Sequence, residues 1–118
     1  MIAYERPDLD GEKESRYRIV EVGDAEDLRE ALSIVLGVRI VVTKARRLFI
    51  LEDVRIHLDR VEGLGNFIEF EGVVGPDGSD GSARLETLLT ELRRAFGIRE
   101  DDLVAESYSD LVLALART

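Results

Sequence analysis

Three stretches with the two-residue period of a β-strand, separated by turns of a few residues, constrain this chain more than any other feature. Val54, Ile56 and Leu58 alternate with Arg55, His57 and Asp59, the clearest strand in the sequence. Before it lies a run from Val38 to Leu51 rich in β-branched residues. Its parity puts Val42, Lys44, Arg46, Leu48 and Ile50 on one side and Val41, Thr43, Ala45, Arg47, Phe49 and Leu51 on the other. After it, Phe67, Glu69, Glu71 and Val73 oppose Ile68, Phe70 and Val74. Glu52-Asp53 is a tight-turn candidate, and Gly63 and Gly65 mark the second turn. Connections this short leave antiparallel pairing as the solution, because a parallel neighbour needs a crossover of a dozen or more residues.

Two further strands are predicted near the start. Ile2 to Arg6 reads as a short strand ended by Pro7, and Ser15 to Val22 alternates Tyr17 and Ile19 against Arg16 and Arg18. Helices are predicted where the period changes. Asp24 is an N-cap followed by Leu28, Ala31, Leu32, Val35 and Leu36 at helical spacing, closed by Gly37. Ser82 caps a second helix with Leu85, Leu88, Leu89, Leu92 and Phe96 on one stripe, closed by Gly97. A turn or short helix from Asp101 to Ser107 leads into a helical stretch from Tyr108 to Ala116, and the low-complexity run Gly75 to Ser82 reads as a surface loop. The expected fold is α+β in one domain spanning residues 1–118.

Composition removes several function classes. With 16 Lys and Arg against 25 Asp and Glu the net charge is -9, a field that repels nucleic acid and anionic membranes. Apolar runs such as Leu32 to Val38 are far too short for a membrane span, and the first residues lack the pattern of a secretory signal. Cysteine is absent, which excludes thiolate chemistry and disulfides and leaves a cytoplasmic setting as the default expectation. Neither a P-loop, a G-x-G-x-x-G run nor a His-x-x-x-His zinc motif occurs.

What remains is the charged parity: Arg16 and Arg18; Lys44 and Arg46; Arg55, His57 and Asp59; Glu69 and Glu71. If these share one side of one sheet, two readings are open. In the first, helices cover the apolar face and the charged face meets water. In the second, the sheet curls so that the charged face lines a cavity, where Lys and Arg hold a polyanion and Glu69 and Glu71 hold a divalent cation. Carboxylates two apart on a strand point the same way, and Mg²⁺ takes one or two of them while sharing its shell with phosphate and water. The sole histidine, His57, reads either as a strand residue bonded to its neighbours or as a general base.

The stretch Val54 to Glu71 (VRIHLDRVEGLGNFIEFE) resembles the CYTH domain, the family of class IV adenylate cyclases and thiamine triphosphatases. Its setting is similar to the later part of that family in order: Tyr4 to Asp8, then Ser15 to Ile19, the helix, Lys44 to Phe49, and Tyr108 to Leu111 at the end. The Glu-x-Glu-x-Lys strand with which the family begins is not found, and Ala45 stands where relatives often carry arginine.

The resemblance implies an antiparallel sheet curled into a partial tunnel or barrel with helices outside, binding a triphosphate (ATP, thiamine triphosphate or tripolyphosphate) with Mg²⁺ or Mn²⁺. Carried over by position, it makes Arg6, Arg18, Lys44, Arg46 and Arg55 phosphate-facing, Asp59 a lumen acid, and Glu69 and Glu71 the metal ligands. The implied activity is that of a cyclase or triphosphatase; the alternative is a non-catalytic half-domain that binds polyphosphate or assembles with a partner. A half-tunnel has unpaired edges, so a homodimer is also expected.

Overall fold

The computed structural model describes residues 1–5, 7, 14–73 and 82–118. Arg6, the polar connection expected from residue 8 onward and most of the expected loop before Ser82 lie outside the described residues. The chain divides into two compact units, residues 1–41 with 104–118, and residues 42–103.

In the first unit, β1 (Ile2–Glu5) pairs antiparallel with β2 (Arg16–Ile19), in the register Ala3 to Arg18 and Glu5 to Arg16. The ladder is closed at its end by two bonds between Met1 and Val20, each 2.8 Å. Helix α1 (Ala25–Leu36) begins where Asp24 accepts the Asp27 N–H at 2.9 Å. It stops at Gly37, whose φ of 74° suits a residue without Cβ. Both ends are as the sequence predicts, yet Leu32, Val35 and Leu36 on the apolar stripe are exposed.

The second unit holds a three-stranded antiparallel sheet in the order β3 (Lys44–Leu51), β4 (Val54–Val61), β5 (Gly65–Gly72). All three strands are eight residues long because two turns set the register. At one, Glu52 takes φ 50°; at the other, Gly63 and Gly65 take φ 79° and 102°. The strand expected to start at Val38 starts only at Lys44, opposite Val61. The Glu62–Leu64 turn leaves nothing beyond Val61 to pair with, except one bond from the Glu62 N–H to the Thr43 carbonyl.

Helix α2 (Ser82–Ala95) lays Leu85, Leu88, Leu89 and Leu92 onto Val54, Ile56, Leu58, Ile68 and Phe70, the apolar parity of β4 and β5. Each large aliphatic side chain that such packing fully buries contributes about 2 kcal/mol. The helix ends in a Schellman motif, with Gly97 N–H on Arg94 O and Ile98 N–H on Arg93 O, and the Phe96 ring sits 5.7 Å from that of Phe70. A 3-10 turn (Glu100–Asp102) follows, and α3 (Tyr108–Ala116), capped by Ser107, belongs to the first unit.

At Gly72 the sheet leaves no room under α2: a Cβ there would stand 2.6 Å from a Leu85 methyl and 2.9 Å from its Cγ. Gly72→Ala therefore forces the Leu85 side chain out of its packing against the sheet, and a urea melt should show a loss of about 1–3 kcal/mol.

The α+β class and antiparallel pairing are as expected. The single sheet is not: among the described residues the strands form separate sheets of two and three strands, so Arg16 and Arg18 belong to a different sheet from Lys44 and Glu69. Among the described residues neither sheet closes into a barrel.

Candidate functional site

Register converts the charged parity of the second unit into neighbours. Arg46 lies opposite Asp59, Arg55 opposite Glu71 and His57 opposite Glu69, all on the face away from α2. Strand alternation explains this directly, since the residues of β4 and β5 that pack on α2 alternate with them along each strand.

The strongest interaction is a fork. Arg46 Nε and one Nη donate to the two carboxylate oxygens of Asp59, each at 2.6 Å, and Lys44 Nζ stands 3.6 Å from the same carboxylate. Asp59 is only 3% exposed, while the two cations keep about a third of their side chains in water. A buried carboxylate is tolerable only with such partners, and the bidentate geometry fixes the guanidinium in direction as well as position.

Two residues along β4, His57 is also buried, at 6%. Its Nδ1 is 3.4 Å from Glu69 Oε1 and its Nε2 3.4 Å from Glu71 Oε2, so one imidazole spans both carboxylates. Nδ1 makes no hydrogen bond among the described residues, an orphaned polar atom facing an acid. Arg55 reaches the same Glu71 at 4.0 Å. An open groove of about 690 Å³ at the end of the sheet is lined mainly by the opposite parity, Ala45, Arg47, Leu58, Arg60, Asn66 and Ile68, and reaches the charged face only at Arg46, Asp59 and Phe67.

Of the residues singled out from sequence, Lys44, Arg46, Arg55, Asp59, Glu69 and Glu71 therefore share one sheet face. Arg18 is on β2 in the other unit, and Arg6 is outside the described residues. Sequence parity shows that His57 shares the face but not that it bridges both glutamates; that needs the β4–β5 register, set by the Gly63–Gly65 turn.

Among the described residues no group of three or more His, Asp or Glu side chains is arranged to enclose a metal ion. Glu69 and Glu71 do fit a cation held in part by the protein. They are two hard oxygen donors from one strand face, 43% and 34% exposed, with room for phosphate and water to complete the shell.

No described helix is long and apolar enough to cross a membrane. The sequence is 31% identical over 113 residues to a curated protein named "Putative adenylate cyclase MJ0240" from Methanocaldococcus jannaschii, covering 93% of this chain and 63% of that one. Among solved structures it is similar to the PH1012 protein of Pyrococcus horikoshii OT3, with a TM-score of 0.73 and 26% identity, covering 93% of this chain and 65% of that one. The PH1819 protein of the same organism gives a TM-score of 0.66 and 28% identity, over 96% and 64%. The chain thus spans a little under two thirds of the length of these relatives. The family description that matches is the CYTH domain, over residues 2–108, and with that match covering most of its length the chain belongs to the CYTH domain family.

Proposed function

We propose that the charged face of the second unit binds the phosphates of a nucleotide or inorganic triphosphate together with Mg²⁺ or Mn²⁺, as an adenylate cyclase-like or triphosphatase-like protein. The observation that carries this reading is the juxtaposition, on one sheet face, of three cations (Lys44, Arg46 and Arg55) with two carboxylates two residues apart (Glu69 and Glu71). Membership of the CYTH domain family supports it.

In this reading Asp59 holds Arg46 with its fork in a fixed direction, so that little side-chain freedom is lost when a phosphate arrives. Lys44 and Arg55 add charge at either end of the cluster. Guanidinium and ammonium groups placed around phosphate oxygens stabilise negative charge that develops as the phosphoryl group transfers. Glu69 and Glu71 hold the divalent cation, which when bound neutralises phosphate charge and orients the reacting phosphoryl group. His57, wedged between them, keeps both carboxylates turned to the same side.

The site belongs to one CYTH-like domain over residues 1–118, in a cysteine-free chain suited to the reducing cytoplasm. The alternative reading is a module that binds polyphosphate without turning it over.

A pair of substitutions tests the assignment of the glutamates. In Glu69→Gln/Glu71→Gln, tripolyphosphate binding measured without divalent cation should be retained or strengthened, since two repelling charges are gone, while the enhancement by Mg²⁺ should vanish. A Mg²⁺ enhancement equal to that of the unmodified chain would remove these residues from the metal site. Release of phosphate, pyrophosphate or cyclic nucleotide by the unmodified chain separates the enzyme from the binding module.

A further inference from the structure

His57 is a group of the charged face whose surroundings leave it unsatisfied. Its side chain is 7% exposed, and its Nδ1 is buried with no hydrogen bond among the described residues. A polar atom in that condition has given up its hydration without gaining a partner, and folded chains rarely leave one so. Nδ1 is aimed at Glu69 Oε1 3.4 Å away, beyond the roughly 2.7–3.2 Å of an ordinary N–H···O bond. On the other side of the ring, Nε2 stands 3.4 Å from Glu71 Oε2. All three side chains come from the adjacent strands β4 and β5 within the second unit, so the arrangement holds whatever covers the edges of the sheet.

Resting on the reading of Glu69 and Glu71 as cation ligands given above, we propose that His57 Nδ1 and Glu69 are joint donors to one divalent cation, which makes that cation a first-row transition ion, Mn²⁺ rather than Mg²⁺. Two atoms each about 2.1 Å from one ion stand roughly 3.0–3.4 Å apart at octahedral to tetrahedral angles, so the separation of Nδ1 and Oε1 is the spacing of two ligands. An imidazole that binds a metal hands its other ring N–H to a carboxylate, which fixes the ring, and Glu71 faces Nε2 in the position for that task. Its second oxygen leaves it able to serve the cation as well. The protein thus supplies one nitrogen with one or two carboxylates, and phosphate and water fill the remaining positions. Nitrogen among the donors sets the preference. Mg²⁺ takes oxygen ligands and gives up its water reluctantly, whereas imidazole suits transition ions, which bind such a donor better from Mn²⁺ to Zn²⁺.

His57 is the sole histidine and cysteine is absent, so an ion bound through imidazole has a single side chain to report it. In the full chain, free of any histidine tag and labelled with nitrogen-15 histidine, Zn²⁺ should shift the Nδ1 resonance strongly and the Nε2 resonance little, and Mn²⁺ should broaden both. Calorimetry with the metal alone should rank Zn²⁺ above Mn²⁺ and Mn²⁺ above Mg²⁺. His57→Gln should lower the ratio of Mn²⁺ to Mg²⁺ affinity at least about tenfold. The resonance measurement needs no substitution, so it decides the matter even where His57→Gln does not fold. An Nδ1 resonance unmoved by excess Zn²⁺, a shift at Nε2 in its place, or an unchanged affinity ratio in folded His57→Gln would overturn the proposal. Tripolyphosphate binding that Mg²⁺ enhances beside an unmoved Nδ1 would overturn it and leave the proposed function standing. An ion on Nδ1 of a chain that takes up no tripolyphosphate would do the reverse.

Discussion

Replacing Arg46 with alanine should destabilise the second unit by about 3 kcal/mol, lowering Tm by roughly 10 °C, whereas Asp59→Ala should cost clearly less. The two residues share one bidentate contact, so the inequality comes from what each deletion leaves behind. Without Arg46, the carboxylate of Asp59, whose side chain has zero exposure in the folded chain, loses two bonds of 2.6 Å and keeps Lys44 3.6 Å away. A buried charge that loses its main partner bears the desolvation cost that the pair had offset. Without Asp59, the guanidinium of Arg46 still has about a third of its side chain in water and can be hydrated. Urea melts of both single variants and of the double variant close the cycle, and the double should recover part of the Arg46→Ala loss. Equal losses from the two single variants would show that Asp59 is not burdened by its burial.

The sequence makes the charged cluster legible to the extent that parity governs it. Lys44 with Arg46, Arg55 with His57 and Asp59, and Glu69 with Glu71 each follow from a two-residue period. That these sets meet across strands follows from hairpins whose turn residues, Glu52-Asp53 and Gly63 to Gly65, are visible in the chain. Helix α2 is equally readable, because its leucine stripe, Ser82 start and Gly97 stop agree with each other.

Other features depend on register or on long-range topology, which local periodicity does not encode. The β-branched run from Val38 to Thr43 has strand propensity, but the turn at Glu62–Leu64 denies it a partner. That Arg16 and Arg18 belong to another sheet follows from β2 pairing with β1. The bridging of Glu69 and Glu71 by one imidazole is a consequence of the His57–Glu69 register, and so appears only once the strands are aligned.

The second large effect concerns binding. Lys44→Ala/Arg55→Ala removes two cations from the cluster while keeping the buried Arg46–Asp59 fork that stabilises the sheet. Each charge-assisted contact to a phosphate oxygen is worth about 1.5–3 kcal/mol, so the pair should weaken tripolyphosphate binding by roughly a hundredfold or more. Because both side chains retain access to solvent, the attraction should also fall as salt rises and the Debye length shortens. Circular dichroism should show both proteins folded.

A calorimetric titration of the 118-residue chain with tripolyphosphate, with and without Mg²⁺, beside Lys44→Ala/Arg55→Ala at the same ionic strength, decides whether this sheet face holds phosphate. Saturable, salt-sensitive binding that the double variant loses is the predicted result. No heat of binding, or equal binding by both folded proteins, would contradict it and return the cluster to a set of internal ion pairs facing water.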